Sequence, residues 1–238
     1  LVEGKPVNAG TYTATLSITV NGNTYSVSKE YTIAAYAATD FNITGGTQGT
    51  DYTVTDNLVT INTDTEITIA NKNPSEATDD KIFIKGGINA KVTLAGVNIN
   101  VSGSENACAL QIEDNSTGDV IITLADGTTN TINGSYVARI YKPDSVVLNK
   151  AGTEVEDAKK LHKYDAAFYS RMSMNVNGGK ENSGVLTINA DNEGLDSELH
   201  LTINGGIIHI NSGNDGINTN EDGVSVTTIN GGELNIQV

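Results

Sequence analysis

The chain has 238 residues, 37% of them hydrophobic and only 5% aromatic, with no Trp, 28 Asn, 29 Thr and 25 Gly. Asn, Thr and Gly all disfavour helix interiors, so the composition excludes a helical protein and suits short strands joined by tight turns. A formal charge of −15 excludes nucleic acid as a natural partner, because phosphate binding needs concentrated Lys and Arg.

The same surplus of acid favours calcium, since hard cations prefer carboxylate and carbonyl oxygens. A single cysteine, Cys108, allows no internal disulfide, and its setting Asn-Ala-Cys-Ala-Leu reads as a small buried hydrophobe. No apolar run reaches membrane-spanning length, so membrane insertion is not expected. Leu1 does not open a signal peptide, and the expectation is a chain that starts within a longer sequence or after processing.

Residues 11–33, TYTATLSITVNGNTYSVSKEYTI, alternate apolar and polar on both sides of Asn21-Gly22. Asn-Gly supplies the two positive-φ positions of a type I′ turn, which predicts a β-hairpin. Residues 1–37 are read as this hairpin. It resembles the last two strands of a bacterial immunoglobulin-like repeat, or it serves as a cap on the domain C-terminal to it.

From about residue 38 the rhythm changes to short aliphatic triplets separated by Asn and Gly, such as Val92-Thr93-Leu94 and Val97-Asn98-Ile99. The stretch 135–164 interrupts them. Seven of the 14 basic residues lie between Arg139 and Arg171, and Tyr136, Tyr141, Tyr164 and Tyr169 flank or fill the same stretch. It reads as an excursion containing a hairpin and a short helical turn over EVEDAKKLHK; long loops of this kind are usually functional or mobile.

The triplets then return as a countable repeat. LTINADNEGLDS (186–197) aligns without gaps on IHINSGNDGINT (208–219), a step of 22, and TINGGIIHI (202–210) aligns on TINGGELNI (228–236), a step of 26. A fainter copy is DAAFYS, 165–170, whose Ser170 matches Ser197 and Thr219. Periods of this length with strand triplets and no helix signal predict an all-β solenoid, a parallel β-helix over 38–238 with three short strands per rung. Inward aliphatics form its core, and the frequent Asn residues stack as hydrogen-bonded side-chain amides.

If the two longest copies occupy successive rungs, Glu193 sits over Asp215, Asn192 over Asn214 and Asp196 over Asn218. Asp165 falls in the Asn192/Asn214 column. Two carboxylates one rung apart repel unless a proton or a cation lies between them. Calcium takes six to eight oxygens, so the candidate metal ligands are Asp165, Asn192, Glu193, Asp196, Asn214 and Asp215, with Asp191, Glu221 and Asp222 nearby. Gly194 and Gly216 are expected to permit the corner that turns carbonyls toward the ion. The alternative is a solvated acidic edge that limits end-to-end aggregation.

GDVIITLADGTTNTING (118–134), DAAFYS, GVLTINADNEGLDSELHLTINGG and IIHINSGNDGIN together resemble the clostridial carbohydrate-binding β-helix family. The resemblance covers about 40–238. It implies a right-handed parallel β-helix, similar to pectate lyases, that binds calcium and plant polysaccharides including cellulose and acidic pectic sugars. It further implies an extracellular or cell-surface location in a bacterium.

Three functions fit these features. A binder needs a straight sheet for a linear glycan, with Tyr136, Tyr141, Tyr164, Tyr169 and Arg171 as candidate contacts and calcium or a basic patch to bridge an anionic sugar. A structural spacer or adhesin stalk needs only stacked rungs. A pectate-lyase-like enzyme needs a cation and a base, for which Arg171 and Lys163 are the candidates. The expected function is calcium-dependent polysaccharide binding without catalysis; His162, His200 and His209 show no metal-ligand spacing, and His200 and His209 are placed within strands.

Overall fold

In a computed structural model of the chain, residues 9–33, 35–104, 107–113, 119–135, 143–158, 166–219, 221 and 223–238 are described. The structure divides into two units, Leu1–Ala38 and Thr39–Val238. The described residues are all-β, with one 3₁₀ turn at Pro143–Ser145 and no α-helix.

The smaller unit is an antiparallel hairpin, Gly10–Val20 paired with Asn23–Ile33 in unbroken register. Asn21 and Gly22 take φ of 50° and 80° at its turn, as a two-residue turn matched to the twist of the strands requires. The period-2 pattern separates two faces. One is a hydroxyl ladder, with Thr15 Oγ1 2.7 Å from Ser28 Oγ and Ser17 Oγ 2.6 Å from Ser26 Oγ. The other is apolar, pairing Leu16 with Val27, Ile18 with Tyr25 and Tyr12 with Tyr31, whose rings stack 5.9 Å apart.

In the larger unit the chain visits three sheets in turn. A first sheet of seven strands runs from Tyr52–Thr55 to Ile217–Thr219, a second of seven from Phe41–Thr44 to Thr227–Ile229, and a third of five from Asn98–Asn100 to Glu233–Gln237. Pairing is antiparallel only at the beginning, where Phe41–Thr44 meets Glu66–Asn71 and Tyr52–Thr55 meets Leu58–Ile61. All later neighbours in these three sheets are parallel.

Alternation explains which residues enter the core. In Val185–Ala190, Leu186 and Ile188 are buried while Val185, Thr187 and Asn189 are partly exposed. Each inward side chain lies over one of the same kind from the circuit before. Ile99, Ile132, Ile188, Ile210 and Ile236 form one column in the third sheet. Ile82, Leu110, Phe168, Leu195 and Ile217 form another in the first. Buried amides fill two places where strand pairing stops. Asn130 Oδ1 accepts from the backbone N–H of Gly96 and Val97, both at 2.9 Å, and Asn71 Oδ1 accepts from Asn98 N at 2.8 Å.

The excursion departs from the helical expectation. Val147–Leu148 and Val155–Asp157 form an antiparallel pair, so the first part of EVEDAKKLHK is extended, and 159–163 lies outside the described residues. The β-branched Val155 favours the pleated conformation. His200 also differs from expectation: it is exposed and precedes the strand Leu201–Ile203, whereas His209 lies within Ile207–Ser212.

Ile188 lies in the middle of its column with both neighbours present. Ile188→Ala is expected to destabilise the unit by about 2–5 kcal/mol, lowering the melting temperature by about 5–15 °C. A change of less than about 2 °C in a calorimetric scan would contradict this column as a packed core.

Candidate functional site

The repeat copies meet at a corner entering the first sheet. Gly194 N donates to Asp215 O at 2.9 Å and Asn214 N donates to Asn192 O at 2.9 Å, while Asp196 and Asn218 are register partners. Asn192, Glu193 and Asp196 therefore lie one circuit from Asn214, Asp215 and Asn218. The side chains divide by environment. Glu193 is 4% exposed and Asp196 fully buried, whereas Asn214 and Asp215 are exposed. Ser135, at φ 80°, sits one circuit earlier, and its hydroxyl accepts from Asn192 N at 2.9 Å and Glu193 N at 3.1 Å.

The glycines of this corner work differently from expectation. Neither Gly194 nor Gly216 takes a positive φ. A Cβ on Gly194 would lie 2.4 Å from Ile210 Cγ2 and 2.6 Å from Gly216 O, and one on Gly216 would lie 2.3 Å from Ile236 Cγ2. Close approach of the core, not backbone handedness, demands glycine here.

Glu193 and Asp196 suit a hard cation by donor type, since such ions prefer carboxylate oxygens. Among the described residues, however, no three His, Cys, Asp or Glu side chains converge on one point. Asp165 lies outside the described residues.

Tyr169, expected as a sugar contact, is fully buried in a cluster with Cys108 and Ala166. Its ring therefore offers no exposed stacking face. The phenol donates to Glu198 Oε1, and Arg171 Nε donates to Glu198 Oε2 at 3.4 Å. Burial, and then the bond to Glu198, hold the phenol pKa well above its ordinary value. Arg171 is thus engaged with a carboxylate that is itself only 14% exposed. Tyr136, Tyr141, Tyr164 and Lys163 lie outside the described residues.

A second feature lies at the end of the third sheet, where the strands leave for the first. Outward positions place Asn100, Asn133, Asn189, Asn211 and Gln237 in one register column. Asn211 Nδ2 donates to Asn189 Oδ1 at 2.9 Å, and Asn189 Nδ2 donates to Asn133 Oδ1 at 2.6 Å. Four of these amides line an open groove of about 390 Å³ together with Ser102, Ala190, Asp191 and Ser212. The stacking of Asn is legible in the sequence. That one stack borders a groove is not, because the groove depends on how the adjoining corner is folded.

Burial pushes the Cys108 thiol up to about 12. Folded Cys108 and Tyr169 both hold their protons more tightly than the unfolded chain does, so the stabilisation is complete below about pH 9 and is lost as pH rises toward 12. Stability measured by denaturant titration is expected to fall steadily above about pH 9. Cys108 is expected to resist a thiol reagent at pH 8 until the protein is unfolded; labelling of the native protein at the rate of an exposed thiol would contradict this burial.

No curated protein and no solved structure matches the chain with significance. A family model described as "Carbohydrate-binding domain-containing protein" matches residues 55–238. That span takes in the repeat copies, the corner of Glu193 and Asp196 and the amide-lined groove, and by it the chain belongs to this carbohydrate-binding family.

Proposed function

We propose that residues Thr39–Val238 form a right-handed parallel β-helix that binds plant-type polysaccharide, pectic or cellulosic, outside the bacterial cell, with calcium bound and without catalysis. The observation that carries this reading is the carbohydrate-binding family match over a sheet system with an amide-lined groove at the end of its third sheet. A linear polymer needs an extended surface with periodic polar groups, and parallel strands in constant register supply one.

Calcium is assigned to the corner where Glu193 and Asp196 are buried, with Asn192, Asn214 and Asp215 on the same and the next circuit. When bound, the ion would give an acidic sugar a positive contact. Without such an ion, a protein of net charge −15 repels a polyanion. Arg171 supports binding more than elimination, since its Nε already donates to Glu198.

Two measurements test the reading. At calcium a hundredfold above its Kd, the ion is expected to stabilise the fold by about 2.7 kcal/mol, which corresponds to a melting-temperature rise of about 5–10 °C reversed by EDTA. An unchanged melting temperature together with no metal by elemental analysis would remove calcium. In affinity electrophoresis, retardation by polygalacturonate or hydroxyethylcellulose is expected, with no build-up of ultraviolet-absorbing unsaturated uronate. Free migration through both gels would remove polysaccharide binding.

A further inference from the structure

The amide column is the part of the surface whose chemistry the calcium corner does not explain. Asn133, Asn189 and Asn211 stand on successive circuits with their side chains hydrogen-bonded in line. Each amide carries two N–H donors and an oxygen with two lone pairs. The two ladder bonds use a donor and a lone pair of Asn189, a lone pair of Asn133 and a donor of Asn211, leaving at least one donor and one lone pair at each of these circuits, about 4.8 Å apart. A sugar hydroxyl is likewise one donor and an acceptor, so the column repeats the complement of a row of hydroxyls.

The surroundings narrow the ligand further. The next outward column is Asn98, Thr131, Thr187, His209 and Asn235, all polar and without Lys or Arg. Carboxylates stand at the margins, Glu233 on one side and Asp191 in the wall of the groove. No Lys or Arg stands in these two columns to attract a uronate. The groove wall also holds Ser212, whose buried hydroxyl has no hydrogen-bond partner among the described residues.

We infer that the outward face of the third sheet, along Asn133, Asn189 and Asn211 with Ser212 in its wall, is a docking surface for an uncharged stretch of polysaccharide lying parallel to the column. The inference rests on the polysaccharide-binding reading and adds to it the surface, the chain direction and the independence from calcium. Binding proceeds through hydrogen bonds alone, since no Phe, Tyr or Trp stands in these two columns.

The test is affinity electrophoresis with hydroxyethylcellulose as the uncharged probe and polygalacturonate as the acidic one, each in calcium and in EDTA. Hydroxyethylcellulose is expected to retard the protein equally in both buffers and at low and high salt. Asn189→Ala with Asn211→Ala is expected to weaken that retardation by about tenfold.

Asn177→Ala with Asn204→Ala supplies the control. These residues form a ladder of the same chemistry at a different corner, with Asn204 Nδ2 donating to Asn177 Oδ1 at 2.8 Å. Their loss is expected to lower the melting temperature as much as the first pair but to leave retardation at the wild-type value. Retardation by polygalacturonate alone, or wild-type affinity in the Asn189/Asn211 pair, leaves the polysaccharide reading standing and overturns the amide-column surface. Retardation by neither polymer sinks both.

Discussion

Parallel pairing in constant register is the constraint on which the larger unit depends. Ile188 lies between Ile132 and Ile210, and Leu195 between Phe168 and Ile217, because each circuit returns the chain to the same strand position. A slip of one residue would turn every inward aliphatic outward. The corners hold that register. Gly206 and Gly232, at φ 89° and 90°, occupy the same place in the two TINGG copies, where the chain turns from the second sheet to the third.

The same constraint builds the surface. Whatever faces outward on one strand faces outward on the next, so chemistry appears as columns and not as isolated residues. Hydrogen bonds along a column fix side chains that would otherwise be mobile, and a ligand then meets groups already held in place. The corner of Glu193 and the amide column are two results of one translation, the first turned into a buried environment and the second left open.

Much of this was legible in the residues. The steps of 22 and 26 are the observed register pairs from Leu186↔Ile208 to Ser197↔Thr219 and from Thr202↔Thr228 to Ile210↔Ile236. Asn21-Gly22 marks its turn because only positive φ closes a two-residue hairpin there. Asp56 carried a weaker signal of the same kind: it takes φ 51° between Tyr52–Thr55 and Leu58–Ile61, and alternation on both sides of it marks the antiparallel start of the first sheet. Other features depend on contacts distant in sequence. Nothing local distinguishes the buried Glu193 from the exposed Asp215, which hold matched positions, nor separates the buried Asn71 and Asn130 from the many Asn residues at the surface. Tyr169 belongs with them, since an aromatic in a basic stretch reads as a contact until its partners Cys108 and Ala166 are known.

The amide column has translational symmetry, and this bears on how it treats a long molecule. Moving a uniform chain by one repeat along Asn133, Asn189 and Asn211 presents the same donors and acceptors to the same atoms. No alignment is singled out, so a polymer has many equivalent placements where a short oligomer has few. For a polymer docked as inferred above, that multiplicity would be a purely statistical preference for length, and it would let the attached strand shift lengthwise by one repeat at a time.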